Sequence, residues 1–135
     1  METATIDKDI SVFYITASSY PEGILDAHKT LHAMVPFTTS RRYYGLSRPE
    51  NGTIVYRAAA EELWEGEGKK LKCDTIVIKK GKYICSTVHD YMKHVHLIKD
   101  AFDELLESPE LDPQGYCVEW YVSEKDVKCM IRLKQ

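Results

Sequence analysis

The order in which strand-like and helix-like segments alternate constrains this 135-residue chain most strongly. Segments rich in β-branched and aromatic residues, bounded by turn residues, predict strands at 10–16, 42–47, 53–59, 75–78, 83–88, 116–122 and 127–133. Apolar residues at helical spacing follow the first and the fifth of these strands. The chain is therefore predicted to contain the order β-α-β-β twice, with the strand at 75–78 linking the two units.

Both predicted helices have recognisable ends. Ser19 and Glu22 stand at capping-box spacing, so the first helix is predicted over 21–34, with Pro36 ending it. Asp90 is the expected cap of the second helix, which stops at Ser108-Pro109. Its apolar stripe consists of Tyr91, Val95, Ile98, Phe102 and Leu105, widened by Ala101 and Leu106.

The two units also match in detail. The residues 14–16 (Tyr-Ile-Thr) align with 83–85 (Tyr-Ile-Cys), and the two helical stripes align after a two-residue shift. We interpret this as a duplicated module with halves at about 9–60 and 75–134 inside a single domain, 1–135. The predicted class is α+β, with an antiparallel sheet, two helices packed on one face, and a ligand cleft at the seam between the modules.

Composition excludes several classes of function. The net charge of −3 and basic residues that occur mostly as pairs argue against direct nucleic-acid binding. No apolar run approaches the length of a membrane span, and the polar N-terminus has no signal-peptide pattern, so a cytoplasmic location is expected. The four cysteines form no C-x-x-C pair, and neither a metal site nor a cofactor is expected.

The strand at 116–122 carries the main functional candidate, Glu119. Strand alternation places Glu119 on one face with Cys117 and Tyr121, whereas Val118 and Trp120 on the other face are expected to pack under the helices. An ionised carboxylate among half-buried strand residues is costly unless it is satisfied. Three interpretations stay open: Glu119 is a structural hydrogen-bond acceptor, an exposed strand residue, or the floor of a ligand pocket.

The aromatic composition favours a pocket. The chain has nine tyrosines and two tryptophans but only three phenylalanines, and aromatic rings with polar atoms suit ligand sites. Trp64, in an otherwise polar loop, is the candidate pocket lid, while cross-strand pairing would equally explain Tyr83. His28 is expected to be a half-buried, satisfied histidine. The candidate ligand-binding residues are Glu119, Tyr121, Trp64, Tyr44, Tyr83 and Tyr20.

Three segments resemble the GyrI-like small-molecule-binding domain, which is also the effector-binding domain of AraC-type and MerR-type transcription activators. They are 81–83 (Gly-Lys-Tyr), 101–106 in the second helix, and 118–121 (Val-Glu-Trp-Tyr). The resemblance implies the same duplicated fold over nearly the whole chain. It also implies that Glu119 lies at the floor of a pocket for cationic, aromatic ligands, with Tyr121 completing a Glu-x-Tyr pattern. The family's proline-rich turn is replaced here by 123–126 (Ser-Glu-Lys-Asp).

The leading functional hypothesis is a stand-alone effector-binding protein for an aromatic or cationic small molecule. It would act in drug sensing, sequestration or transcription regulation, although the chain has no helix-turn-helix segment of its own. One alternative is a small-molecule hydrolase in which Glu119 acts as general base and a tyrosine donates a hydrogen bond. Another is an inhibitor that acts by protein interaction, as a gyrase inhibitor of the same family does. An enzyme is the less expected outcome, and a protein partner or a homodimer stays open.

Overall fold

The computed structural model describes all 135 residues, and it contains eight strands and three α-helices. The strands are β1 (Glu2–Ile6), β2 (Ile10–Thr16), β3 (Tyr43–Glu50), β4 (Thr53–Glu61), β5 (Asp74–Ile78), β6 (Gly81–Val88), β7 (Cys117–Tyr121) and β8 (Val127–Arg132). The helices are α1 (Ile24–Met34), α2 (Glu67–Lys70) and α3 (His96–Leu105), and a 3₁₀ turn at Tyr91–Lys93 precedes α3. None of the helices is both long and apolar enough to cross a membrane.

All eight strands form one antiparallel sheet in the order β1-β6-β8-β7-β3-β4-β2-β5. β5 lies at one edge of this order and β6 lies next to the other edge, yet only Lys79 and Lys80 join them. Two residues span less than about 10 Å. The sheet must therefore curl strongly, so that its two ends approach each other around an apolar interior.

Both long helices pack on the same face of this sheet. α1 buries Ala27 and Leu31 against β2 and β4, and α3 buries Phe102 and Leu105 against β6 and β8. The strand residues beneath each helix are opposite one another on neighbouring strands. Because opposite residues of neighbouring strands point to the same face of a sheet, both helices cover one face. The predicted α+β class, with an antiparallel sheet and two helices on one face, is confirmed.

One strand precedes each β-α-β-β unit, and each of these two strands pairs with a strand of the other unit. β1 pairs with β6, and β5 pairs with β2. β5 is thus an integral edge strand as well as the link that the sequence predicted. β1 was not predicted, because its residues are mostly exposed and only Ala4 and Ile6 pack on the core. The division into halves at about 9–60 and 75–134 remains a prediction.

The predicted helix starts were wrong. α1 begins at Ile24 after Gly23, without a side-chain cap, so Ser19 and Glu22 form no capping box. Asp90 has a φ of 51° and leads into the 3₁₀ turn, and it does not cap α3. Because the chain leaves helical geometry at His94, the predicted stripe is broken and Val95 is 60% exposed.

The two faces of β7 are also the reverse of the prediction. Val118 is buried together with Met130 and Tyr44 in a cluster that contains no helix residue, and Trp120 packs at its edge. Cys117 and Tyr121 instead pack against the cluster that holds α3. The strongly curled sheet fills its inner face with its own side chains, so an apolar strand face does not require a helix to cover it. Glu119 consequently faces the helices.

Candidate functional site

Glu119 lies at the centre of β7, on the sheet face that carries α1 and α3. It is 9% exposed and pairs with Gly45 of β3 on one side and Cys129 of β8 on the other. The ring of Tyr121, on the same face of β7, contacts one residue from α1 and one from the turn before α3. Its centroid is 5.4 Å from that of His28 in α1 and 5.5 Å from that of Tyr91 in the turn before α3.

A chain of hydrogen bonds links Glu119 to helix α1. The hydroxyls of Tyr56 and Tyr121 both donate to Oε1 of Glu119, Tyr56 at 3.0 Å. Nε2 of His28 lies 2.8 Å from the Tyr56 hydroxyl oxygen. Because the single hydroxyl proton of Tyr56 goes to the carboxylate, Nε2 of His28 must be the donor in its own bond. His28 is half-buried and satisfied, and this arrangement selects its Nε2-protonated tautomer.

The absence of a side chain at Gly45 makes this network possible. A Cβ atom at Gly45 would stand 2.1 Å from the Tyr56 hydroxyl oxygen and 2.8 Å from Oε1 of Glu119. Both distances are far below van der Waals contact. Glycine inside a strand often marks such a close approach. Gly45 therefore provides the space in which Tyr56 reaches across β3 to the carboxylate.

Burial dominates the electrostatics of the site. It raises the pKa of Glu119, and the hydrogen bonds from Tyr121 and Tyr56 oppose that rise. Burial also raises the pKa of both tyrosines well above the usual range, which keeps them protonated as donors. The pKa of His28 falls to about 4, again through burial, so its ring is neutral near pH 7.

No cation balances Glu119. The carboxylates that pair with a basic side chain are Glu50, Glu61, Glu67, Asp103, Asp112 and Asp126. Glu119 is held by tyrosine hydroxyls alone, and the nearest basic ring, His28, is uncharged. A buried carboxylate in this condition either keeps its proton or attracts a positively charged ligand.

A partly exposed tyrosine ring lies beside the buried network. Tyr20, in the loop before α1, stacks on Tyr56 with 6.3 Å between the ring centroids, and it is 46% exposed. Next to this pair lies a groove of about 420 Å³, which Tyr20 and Tyr56 line together with the residues of 16–19 and 52–55. Tyr20 thus stands between the solvent and the buried network.

The other three predicted residues lie elsewhere. Tyr44 and Tyr83 are buried on the opposite face of the sheet, where the Tyr83 hydroxyl donates to the carbonyl of Lys79. Trp64 lies in the turn between β4 and α2, where its ring is paired with Lys70. The structure therefore brings together Glu119, Tyr121 and Tyr20 from the predicted set.

Sequence reasoning missed Tyr56, Gly45 and Tyr91 as components of the site. A glycine in the middle of the strand 42–47 was a usable signal, because it predicts that something approaches the backbone there. Nothing local distinguishes Tyr56 from the other strand tyrosines. The residues also offer no metal centre, since no group of three His, Cys, Asp or Glu side chains comes together.

The fold is shared with several bacterial proteins of known structure. Integron cassette protein VCH_CASS2 from Vibrio cholerae has a TM-score of 0.70 at 16% identity, covering 98% of this chain and 95% of its own. The protein SAV2435, solved with bound tetraphenylphosphonium, has a TM-score of 0.65 at 12% identity, covering 98% and 93%. A hydrolase from Listeria innocua has a TM-score of 0.62 at 9% identity, covering 98% and 90%.

At these identities the similarity establishes the fold alone, which is consistent with the GyrI-like fold that the sequence resembles. No protein-family profile matches the sequence, and no curated protein sequence matches it significantly.

Proposed function

We propose that this protein binds a small aromatic cation in a cleft between α1 and α3, with Glu119 at its floor as the group that recognises the positive charge. The observation that carries the proposal is a buried carboxylate with no basic partner, surrounded by tyrosine rings. An aromatic cation satisfies both features at once, because it pairs with the carboxylate and stacks on the rings.

Binding and ionisation of Glu119 are coupled in this proposal. In the free protein, burial favours the protonated carboxyl. A bound cation favours the carboxylate, so the ligand would drive Glu119 to release its proton. Affinity for a cation should therefore rise with pH and level off once Glu119 is ionised in the free protein as well.

The fold comparison supports a small-molecule ligand of this class. SAV2435, which shares the fold, was solved with tetraphenylphosphonium, a cation surrounded by four phenyl rings. For the present chain we infer a role in sensing or sequestering such compounds, as part of drug response or transcription regulation.

Isothermal titration calorimetry with tetraphenylphosphonium tests the proposal, using neutral triphenylphosphine oxide as the matched compound. The wild type should bind the cation more tightly as the pH rises above 4.5, the ordinary pKa of a glutamate, until Glu119 is ionised in the free protein as well. Glu119→Gln keeps the shape of the side chain and should weaken that binding by at least about tenfold and remove its pH dependence. Glu124→Gln, at an exposed position in the β7–β8 turn, is the control and should behave as wild type.

Equal affinity for the cation and the neutral compound would refute charge recognition by Glu119. Binding that persists unchanged in Glu119→Gln would place the ligand elsewhere. If neither compound binds at any pH, the cleft is not a site for aromatic cations, and a protein partner becomes the leading explanation.

A second candidate function is hydrolysis of a small molecule by the same residues. The hydrogen-bonded series of Glu119, Tyr56 and His28 favours it, because burial brings a carboxyl closer to the pKa that a general base requires. The likeness to the Listeria innocua hydrolase adds support at the level of the fold. Recovery of bound compounds for mass analysis separates the two functions: unchanged masses support binding alone, while products that disappear with Glu119→Gln indicate turnover.

A further inference from the structure

A second cleft lies on the opposite face of the sheet from Glu119. It has a volume of about 380 Å³, which falls within the usual size of small-molecule sites. Val118, the neighbour of Glu119 in β7, lines it, and so do the linker between β5 and β6 and the loop before β7. The cleft therefore forms where the curled sheet brings its two ends together, and β7 separates it from the first site.

The inner wall of this cleft is apolar. Leu46, Ile78, Tyr83 and Val118 line it, and each is at most 5% exposed. The Tyr83 hydroxyl is already used, since it donates to the carbonyl of Lys79 at 2.6 Å. The wall thus offers apolar contact and no free hydrogen-bond donor from these side chains.

The rim of the same cleft is basic. Arg48, Lys79 and Arg132 line it, against a single carboxylate, Asp112. Arg132 pairs with Asp112 at 2.8 Å, so these two charges offset each other. Lys79 forms no ion pair with any carboxylate. The rim keeps an excess of positive charge, although the chain as a whole carries a net charge of −3.

Glu50, the carboxylate that pairs with Arg48, does not cancel this excess. Arg48 pairs with Glu50 at 3.1 Å, but Arg57 also binds Glu50, at 2.7 Å, so one carboxylate serves two guanidinium groups. The guanidinium of Arg48 lies over the ring of Tyr116, 4.1 Å from its centroid, which holds it at the rim of the cleft. A negatively charged group at this rim would meet Arg48 and Lys79.

We infer that this cleft is a second binding site, for an amphipathic organic anion whose apolar body lies against the inner wall and whose carboxylate meets the basic rim. The two sites then select opposite charges on opposite faces of one sheet. The inference does not depend on the function proposed for the Glu119 cleft.

Calorimetric titration with octanoate tests the inference, with neutral 1-octanol as the compound of equal chain length. Octanoate should bind saturably and more tightly than the alcohol, and added salt should weaken it because the charges at the rim are screened. Lys79→Gln should weaken octanoate about fivefold, and Lys79→Glu should weaken it further. Lys69→Gln, at an exposed position in α2, is the control and should bind as wild type.

A competition experiment separates the two sites. Octanoate should bind equally well when tetraphenylphosphonium is present and in Glu119→Gln. Displacement of octanoate by the cation would overturn the inference, because it would place both compounds in the Glu119 cleft. Equal affinities for octanoate and 1-octanol, unchanged affinity in both Lys79 variants, or no saturable binding of octanoate would each overturn it as well.

Discussion

At the scale of single residues, the site depends on the glycine at position 45, which has no side chain. Gly45 and Glu119 face each other across β3 and β7, and the Tyr56 hydroxyl occupies the space above the glycine. Any other residue at position 45 would compete with Tyr56 for this volume. The carboxylate would then lose one of its two tyrosine donors, and a buried acceptor that loses a donor is costly.

Gly45→Ala should lower the free energy of unfolding by about 2 kcal/mol, because the new methyl group displaces Tyr56 in a packed interior. Urea denaturation followed by circular dichroism measures this change. The double variant Gly45→Ala/Tyr56→Phe removes the oxygen that the methyl group would meet first, so its loss should be smaller than the sum of the two single losses. Strict additivity of the two changes would contradict the close approach of Gly45 and Tyr56.

His28 makes a pH dependence of stability predictable. Its pKa is about 4 in the folded protein, against an ordinary value of 6.5, because burial disfavours the charged ring. A lowered histidine pKa gives stability that is present above pH 6.5 and is lost as the pH falls toward 4. The full loss corresponds to about 3 kcal/mol.

His28→Gln should therefore lose less stability than the wild type between pH 6.5 and 4, which urea denaturation across this range will show. Glu119, whose pKa is raised, changes the free energy of unfolding with pH in the opposite direction. Because Glu119 is present in both proteins, the comparison between them isolates His28. His96→Gln, at an exposed position in α3, should follow the wild-type curve. If the free energy of unfolding of wild type and of His28→Gln depends on pH in parallel, the pKa of His28 is not lowered in the folded protein.

At the scale of elements, α2 is too short to be stable alone, since it has four residues. A buried ion pair holds it in place. Two guanidinium nitrogens of Arg41 bind the two carboxylate oxygens of Glu67 at 2.8 and 2.9 Å, and both side chains are less than 10% exposed. Arg41 also donates to the carbonyl of Glu61, which ties α2 to the end of β4.

Glu67→Gln should lower the free energy of unfolding by about 3 kcal/mol, because it leaves the Arg41 charge buried without a partner. Glu61→Gln is the matched control. Its partner Arg42 is 45% exposed, and the loss of such a pair should cost less than about 1 kcal/mol. Both changes are measured by urea denaturation, and similar losses in the two variants would contradict the role assigned to the buried pair.

At the scale of the whole molecule, one of the three core clusters joins both halves of the chain. The cluster on the inner face of the sheet takes Val12 and Leu46 from the first half and Tyr83 and Met130 from the second. The edge strands β1 and β5 add a further connection, because β1 pairs with β6 of the second half and β5 pairs with β2 of the first half. Neither half can bury the apolar inner face of its strands alone.

The fragments 1–71 and 72–135 should accordingly fail to fold separately. Each should show no cooperative urea transition by circular dichroism, because each would expose one side of the shared cluster and lack a paired edge strand. An equimolar mixture should recover antiparallel-sheet signal and a cooperative transition. Cooperative unfolding of either fragment alone would show that the predicted halves are independent modules.

The sequence by itself determined the α+β class, six of the eight strands nearly to their ends, and the shared face of Glu119 and Tyr121. These features depend on periodicity among residues that are close in sequence, and local backbone geometry expresses that periodicity directly. The absence of cap side chains at α1 and α3 and the exposed strand β1 were not predictable in this way, because their local signals are weak or misleading.

Only the tertiary structure decided what Glu119 meets. Tyr56 lies 63 positions away from Glu119 in the sequence and 28 away from His28, and Tyr44 lies on the other face although its residue type is the same. Strand order and register across the sheet set these encounters, and a one-residue change of register would turn each side chain to the other face. The curl of the sheet decided the rest, because it leaves one face to the helices and closes the other on itself.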